Sequence, residues 1–262
     1  MQTGIGFGAR PFPYSPLRVH RMKPITRLAL AIAATGMLAA PAMAQTYSLA
    51  GDFSTITQSG AWRYGHYSGT LTPASFTAFG RYDSCWHSRC GLASPYNGLI
   101  GWNSTVSGDP DIAKNTGATF TTADLDQITF NANQVNFAPS RGPTVARWTA
   151  QAAGTYAVSA MFQTVQVGNL APMAYVYSST NVSADGSADL ASSAWNFSKT
   201  FTLQQDEYID FVVWGGDTNN KTTQVSADIS TFVPEPGTNA LMLFGLAALG
   251  VVARRCKTAV TT

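Results

Sequence analysis

The chain has 262 residues, 45% of them hydrophobic and only 11% charged, with a formal net charge of +2. That length suits one domain with a sizeable core flanked by terminal segments. Eight of the sixteen basic residues (Arg10, Arg18, Arg21, Lys23, Arg27, Arg254, Arg255 and Lys257) lie at the two ends, whereas all fourteen acids lie between Asp52 and Glu235. The middle of the chain is therefore acidic, and a nucleic-acid partner is disfavoured because no basic stripe remains to release counterions from phosphates.

Residues 1–44 read as a secretory signal peptide. Lys23 and Arg27 form a positive n-region, Leu28 to Ala40 an apolar h-region, and Ala42-Met43-Ala44 a small-x-small cleavage site before Gln45. The stretch before Met22 has no apolar period, so either the n-region from Met1 is unusually long or the start is Met22, the reading favoured here. Such a leader implies passage through the Sec translocon.

Residues 45–232 form the domain. Glu207 is its single Glu, and Lys114, Lys199 and Lys221 are its only lysines, while Gly, Ser, Thr, Asn and aromatics abound. The segment from Asp52 to Asp126 is harder to read: its Gly-rich, aromatic pieces, such as Trp62–Tyr67 and Gly98–Asn103, look like short strands and long loops. Beyond them the period becomes two. Tyr156, Val158, Ala160 and Phe162 fall on one face of a strand, with Thr155, Ser159 and Gln163 on the other. Glu207 to Trp214 sets Ile209, Phe211 and Val213 opposite Tyr208, Asp210, Val212 and Trp214. Pro143 to Ala150, Pro172 to Ser178, Trp195 to Leu203 and Gln224 to Thr231 are further strand candidates. Sequential strands joined by turn-forming residues, without a helical period between them, predict an all-β antiparallel β-sandwich of jelly-roll type, with a barrel as the alternative.

Cys85 and Cys90 close a small disulfide loop in an oxidising compartment. Two alternatives stay open: free thiols, or an incomplete zinc site that would add His87. Signals for catalysis are sparse. His66 and His87 are the domain's histidines, no Gly-x-Ser-x-Gly elbow is present, and the acid pairs Asp109/Asp111, Asp124/Asp126 and Asp206/Glu207 suit turns, so the domain is read as non-enzymatic. No cofactor is expected, apart from calcium as an open option at Asp217, Asn219 and Asn220 or at Asp109 with Asp111; turn chemistry by Asn and Asp is the stronger reading. Trp62, Trp86 and Trp102 lie in Gly/Ser-rich segments and are candidates for an exposed carbohydrate-binding platform, whereas Trp148 and Trp214 each end an apolar strand and are assigned to the core.

Residues 233–262 open with Val233-Pro234-Glu235-Pro236, a stiff connector in which neither proline offers an amide donor. An apolar run from Ala240 to Ala253 follows, and Arg254-Arg255-Cys256-Lys257 comes after it. The run is short against the roughly 20 residues of a spanning helix. Thinning of the bilayer or snorkelling lets it cross, with the basic cluster on the cytoplasmic side. The competing reading is a buried helix of the domain.

This order of Val-Pro-Glu-Pro, short hydrophobic helix and Arg-Arg resembles the PEP-CTERM sorting signal of Gram-negative bacteria. The resemblance implies recognition near Pro234-Glu235-Pro236 by an exosortase, an integral-membrane cysteine transpeptidase-like enzyme that removes the helix. It implies a precursor anchored in the inner membrane, then a cell-surface or extracellular product associated with exopolysaccharide and biofilm or floc formation. Residues 145–231 also resemble the sandwich carried by other PEP-CTERM proteins, which brings a fold and no catalytic residues. A sorting signal names a route and leaves the work of its cargo to be argued separately.

Overall fold

The computed structural model describes residues 44–231, with breaks at 86–90, 92–93, 105–109, 124–126, 140–141, 168–170, 192–193 and 216–221, together with Gly245. The C-terminal helix, the sorting motif, Ala42, Trp86 and Cys90 lie outside the described residues. Among the described residues, no helix is long and apolar enough to cross a membrane.

Sixteen strands are described, and eight consecutive ones carry the architecture: β9 (Val135–Ala138), β10 (Thr144–Thr149), β11 (Gly154–Thr164), β12 (Met173–Ser178), β13 (Gly186–Asp189), β14 (Trp195–Leu203), β15 (Tyr208–Trp214) and β16 (Thr223–Thr231). They pair from the two ends inward, β9 with β16, β10 with β15, β11 with β14 and β12 with β13, all antiparallel. This is one long hairpin with its apex between β12 and β13. Rolling it up adds the β11–β16 and β12–β15 pairings and deals β9, β11, β14 and β16 to one sheet and β10, β12, β13 and β15 to the other. The outcome is the jelly-roll sandwich expected from the sequence, with two open sheets in place of the alternative barrel.

The earlier strands extend both sheets. β2 (Trp62–Tyr67) joins β10 and carries β3 (Phe76–Ala78), giving a six-stranded sheet in the order β13-β12-β15-β10-β2-β3. β6 (Asp111–Asn115), β5 (Leu99–Asn103) and β4 (Arg81–Asp83) continue the other sheet beyond β9. β1 (Thr46–Ser48) pairs with Asp228–Ser230 of β16, on the strand whose first residues, Thr223–Val225, pair with β9. A small pair, β7 (Phe120–Thr121) and β8 (Thr129–Phe130), stands apart from both sheets.

Between the sheets, Tyr156, Val158, Ala160 and Phe162 of β11 meet Ile209, Phe211 and Val213 of β15 and Ala146 and Trp148 of β10 in one core. Each such fully buried large side chain contributes roughly 1.5–3 kcal/mol relative to exposure. Trp148 is wholly buried, with Tyr47 edge-on at 5.3 Å and Tyr156 at 4.9 Å. A satellite cluster of Tyr96, Leu99, Ala113, Ile128 and Phe130 brings β5 and β6 together with β8. Asn115 pins it, donating through Nδ2 to the carbonyls of Ala118 and Phe130, both at 2.9 Å, and accepting the Gly117 amide at 2.9 Å.

Candidate functional site

β15 departs from simple alternation. The core-facing Ile209, Phe211 and Val213 are buried, but so are Asp210 and Val212 on the opposite side. The outer face of the six-stranded sheet therefore has cover of its own: Tyr67, Val145, Tyr177 and Val212 form a second apolar cluster, with Leu71, Phe76, Tyr175 and Ala184 packed against it.

Within that face lies an ion pair. In-register pairing puts Arg147 of β10 beside Asp210 of β15, and Nε and Nη2 of Arg147 donate to the two carboxylate oxygens, each at 2.7 Å. The Tyr67 hydroxyl donates to Oδ2 at 2.7 Å, and Nη2 also reaches the Pro73 carbonyl at 2.8 Å. The guanidinium carbon sits 4.2 Å from the centroid of Phe76 and 3.7 Å from that of Tyr208, close enough for cation–π attraction to both rings. Gly65 is required beneath this arrangement, because a Cβ there would lie 2.2 Å from the Thr77 carbonyl oxygen and 2.8 Å from the Phe76 ring.

The electrostatics follow from burial. Burial pushes the Asp210 carboxyl up, and the Arg147 and Tyr67 donors oppose it. Burial also works against the Arg147 charge, yet the bonds to Asp210 outweigh it and raise that group. The two shifts pull in opposite senses, and the geometry decides between them. Three donors converging at 2.7 Å are what an ionised carboxylate accepts, so the pair is charged. Burial, with Asp210 beside it, pushes the Tyr67 phenol far up, so it remains a donor.

Alongside the ion pair, four rings follow one line on β12 and β15. Tyr208 and Trp214 are on β15; Tyr177 lies opposite Asp210 and Tyr175 opposite Val212. Tyr175, Tyr208 and Trp214 are partly exposed, while Tyr177 is buried. Tyr175 and Tyr177 stack with centroids 5.9 Å apart and planes at 24°.

Two of the three tryptophans expected to form an exposed platform, Trp62 and Trp102, are buried, and Trp86 lies outside the described residues. Trp62 is 2% exposed and packs toward Phe211 at 5.8 Å, and Trp102 is 7% exposed, donating its indole N–H to the Ser54 carbonyl at 2.8 Å. Both are core rings, because the short strands that carry them continue the inner faces of the two sheets. Trp148 is core as expected, but Trp214 lies half-exposed on the outer face. The useful signal was the alternation already visible in Tyr208, Asp210, Val212 and Trp214, which places the last ring opposite the core. Cys85 is disulfide-bonded, and its expected partner Cys90 lies outside the described residues. His66 stacks on Phe79 at 5.8 Å. For calcium, Asp109, Asp217, Asn219 and Asn220 lie outside the described residues and Asp111 is buried; among the described residues no three His, Cys, Asp or Glu side chains converge.

No curated protein sequence matches this chain. Similar solved structures include the K3 adhesin domain of Lys-gingipain from Porphyromonas gingivalis, at 15% identity and TM-score 0.27, covering 39% of this chain and 75% of that one. Another is the CBM36-1 domain of a multidomain xylanase from the hindgut metagenome of Trinervitermes trinervoides (10%, TM-score 0.28, 46% and 90%). A third is the N-terminal cellulose-binding domain of β-1,4-glucanase C from Cellulomonas fimi (13%, TM-score 0.27, 44% and 88%). The family model that matches is the PEP-CTERM protein-sorting motif, over residues 232–255. That span holds Val233-Pro234-Glu235-Pro236, the apolar run and Arg254-Arg255, and the chain thus carries a PEP-CTERM protein-sorting motif there.

Proposed function

We propose that this protein is exported through the Sec translocon, cleaved after Ala44, held in the inner membrane by its C-terminal apolar segment, and released from it by an exosortase acting near Pro234-Glu235-Pro236. The product is a non-enzymatic structural component of the cell surface or extracellular matrix, in company with exopolysaccharide. The match of residues 232–255 to a protein-sorting motif carries this reading. The domain's make-up supports it: a sandwich of interleaved strands with an aromatic-rich core, few charges and a disulfide at Cys85, which on this reading pairs with Cys90.

Replacing Pro234-Glu235-Pro236 by three alanines tests the route. In a host that has an exosortase, the variant is expected to accumulate as an uncleaved, membrane-held form, whereas the parent matures and leaves the membrane. Mass spectrometry of the mature parent should place its first residue at Gln45 and its last near the Pro-Glu-Pro turn. A variant that matures and departs like the parent refutes sorting by this motif.

A further inference from the structure

Among the described residues, the partly exposed rings of the six-stranded sheet form a row in which large aromatics face outward at successive levels. Tyr208, Tyr177, Tyr175 and Trp214 occupy successive same-face levels of two adjacent strands. Alternate residues on a strand are about 7 Å apart, so the row extends over roughly 20 Å. We propose that this row is a binding surface for an extended, neutral polysaccharide, with Tyr175, Tyr208 and Trp214 stacking on pyranose rings and Tyr177 as the floor. The inference rests on the proposed surface location only in that it supplies the partner met there.

Three observations select this occupant. First, Val145 and Val212 on the same face are fully buried and only Leu71, Met173 and Ala184 are partly exposed beside the rings, so the face offers mainly aromatic rings and little of the continuous apolar core that a protein partner needs. Second, each ring has a polar neighbour on the same face: Ser187 is in register with Tyr175, Thr149 with Tyr208, and Asp189 stands one strand beyond Trp214, across Met173. A pyranose, with an apolar C–H face and a rim of hydroxyls, complements a ring flanked by hydrogen-bonding groups. Third, the row is extended along the strands, which suits a polymer, and the domain's excess of acids repels polyanions.

The test is affinity electrophoresis of the purified exported protein in native gels containing hydroxyethylcellulose, barley β-glucan, xylan or dextran, with alginate as the polyanion. At least one neutral glycan should retard the parent. Tyr175→Ala and Trp214→Ala should each weaken retention about tenfold, Tyr175→Phe should retain it, and Ser198→Ala on the opposite sheet should leave it unchanged, with melting temperatures recorded for all. Should Trp214→Ala fail to fold, the Tyr175 pair decides. The proposal is overturned if no neutral glycan retards the parent, if alginate alone does, or if Tyr175→Ala binds like the parent. The Pro234-Glu235-Pro236 alanine variant should bind as the parent does, so a failure of sorting and a failure of glycan binding are read separately.

Discussion

The two sheets share one core but turn different surfaces outward. Over β11 and β14 the outer face of the larger sheet is short and uncharged: Thr155, Ala157 and Ser159 pair in register with Thr202, Thr200 and Ser198. Nearly all of these are solvent-exposed, and nothing there needs a specific partner. Over β10 and β15 the smaller sheet instead carries a desolvated ion pair under aromatic rings. Both faces alternate with the same core, so alternation alone does not distinguish a solvated face from a covered one. What separates them is whether large side chains occupy the outward positions, since only these bring a second layer of burial with them.

The largest break in that contrast comes from one carboxylate. Asp210→Ala leaves the Arg147 guanidinium buried without its counter-charge and the Tyr67 hydroxyl without its acceptor. Removing one partner of a buried pair costs about 3–5 kcal/mol, which for a domain of this size lowers Tm by roughly 6–20 °C. Replacing both groups, as Arg147→Met with Asp210→Leu, should recover much of the loss, because a charge is then no longer stranded. Thermal unfolding of the three proteins reads this directly. A single variant as stable as the parent would mean the pair is solvated.

The contrast also explains what could be read from the chain beforehand. Strands β10, β11, β12, β14, β15 and β16 lie within a residue or two of the segments expected from period two, because each has one face against a continuous core. β13 (Gly186–Asp189) was not foreseen: Gly186-Ser187-Ala188-Asp189 has no apolar period, and its strand form comes from pairing with β12. Two rings of the expected tryptophan platform are buried for a related reason. Trp62 and Trp102 sit among Gly and Ser in sequence, which reads as loop, yet the register with β10 and β6 carries both rings into the core. The Arg147–Asp210 pair was out of reach because the residues are 63 positions apart and only the β10–β15 register joins them.

A smaller effect is expected where the two sheets approach at their β13 and β14 edges. Lys199 of β14 donates to Asp185, just before β13, at 2.7 Å, and Asn181 donates to the same oxygen. An inward-pointing charge on an edge strand also discourages another chain from pairing there. Burial alone would push Asp185 up, but its donors, led by Lys199, hold it below its ordinary value of 3.8. A depressed folded value means that the contact stabilises the fold above the unfolded value and that this stabilisation is lost as pH falls through the folded one. Lys199 is partly exposed but the Asp185 side chain is buried, so Lys199→Met should cost roughly 1–2 kcal/mol near neutral pH, and the gap to the parent should close below about pH 4. Melting curves at several pH values check the sign, and a gap that widens in acid contradicts it.

The smallest effect belongs to the uncharged face. Ser198 on β14 and Ser159 on β11 are exposed and in register, and on the far side Ser159 meets Asp228 of β16. Ser198→Ala removes a hydroxyl that water already serves, so stability should change by no more than about 0.5 kcal/mol in either direction. Ser198→Val should fall in the same range or slightly above the parent, because a β-branched side chain suits a strand and has room on this face. Neither variant should alter glycan retention. A loss of several degrees in Tm for Ser198→Ala would show that this face is covered in solution, and the contrast between the two sheets would then collapse into two covered surfaces of different chemistry.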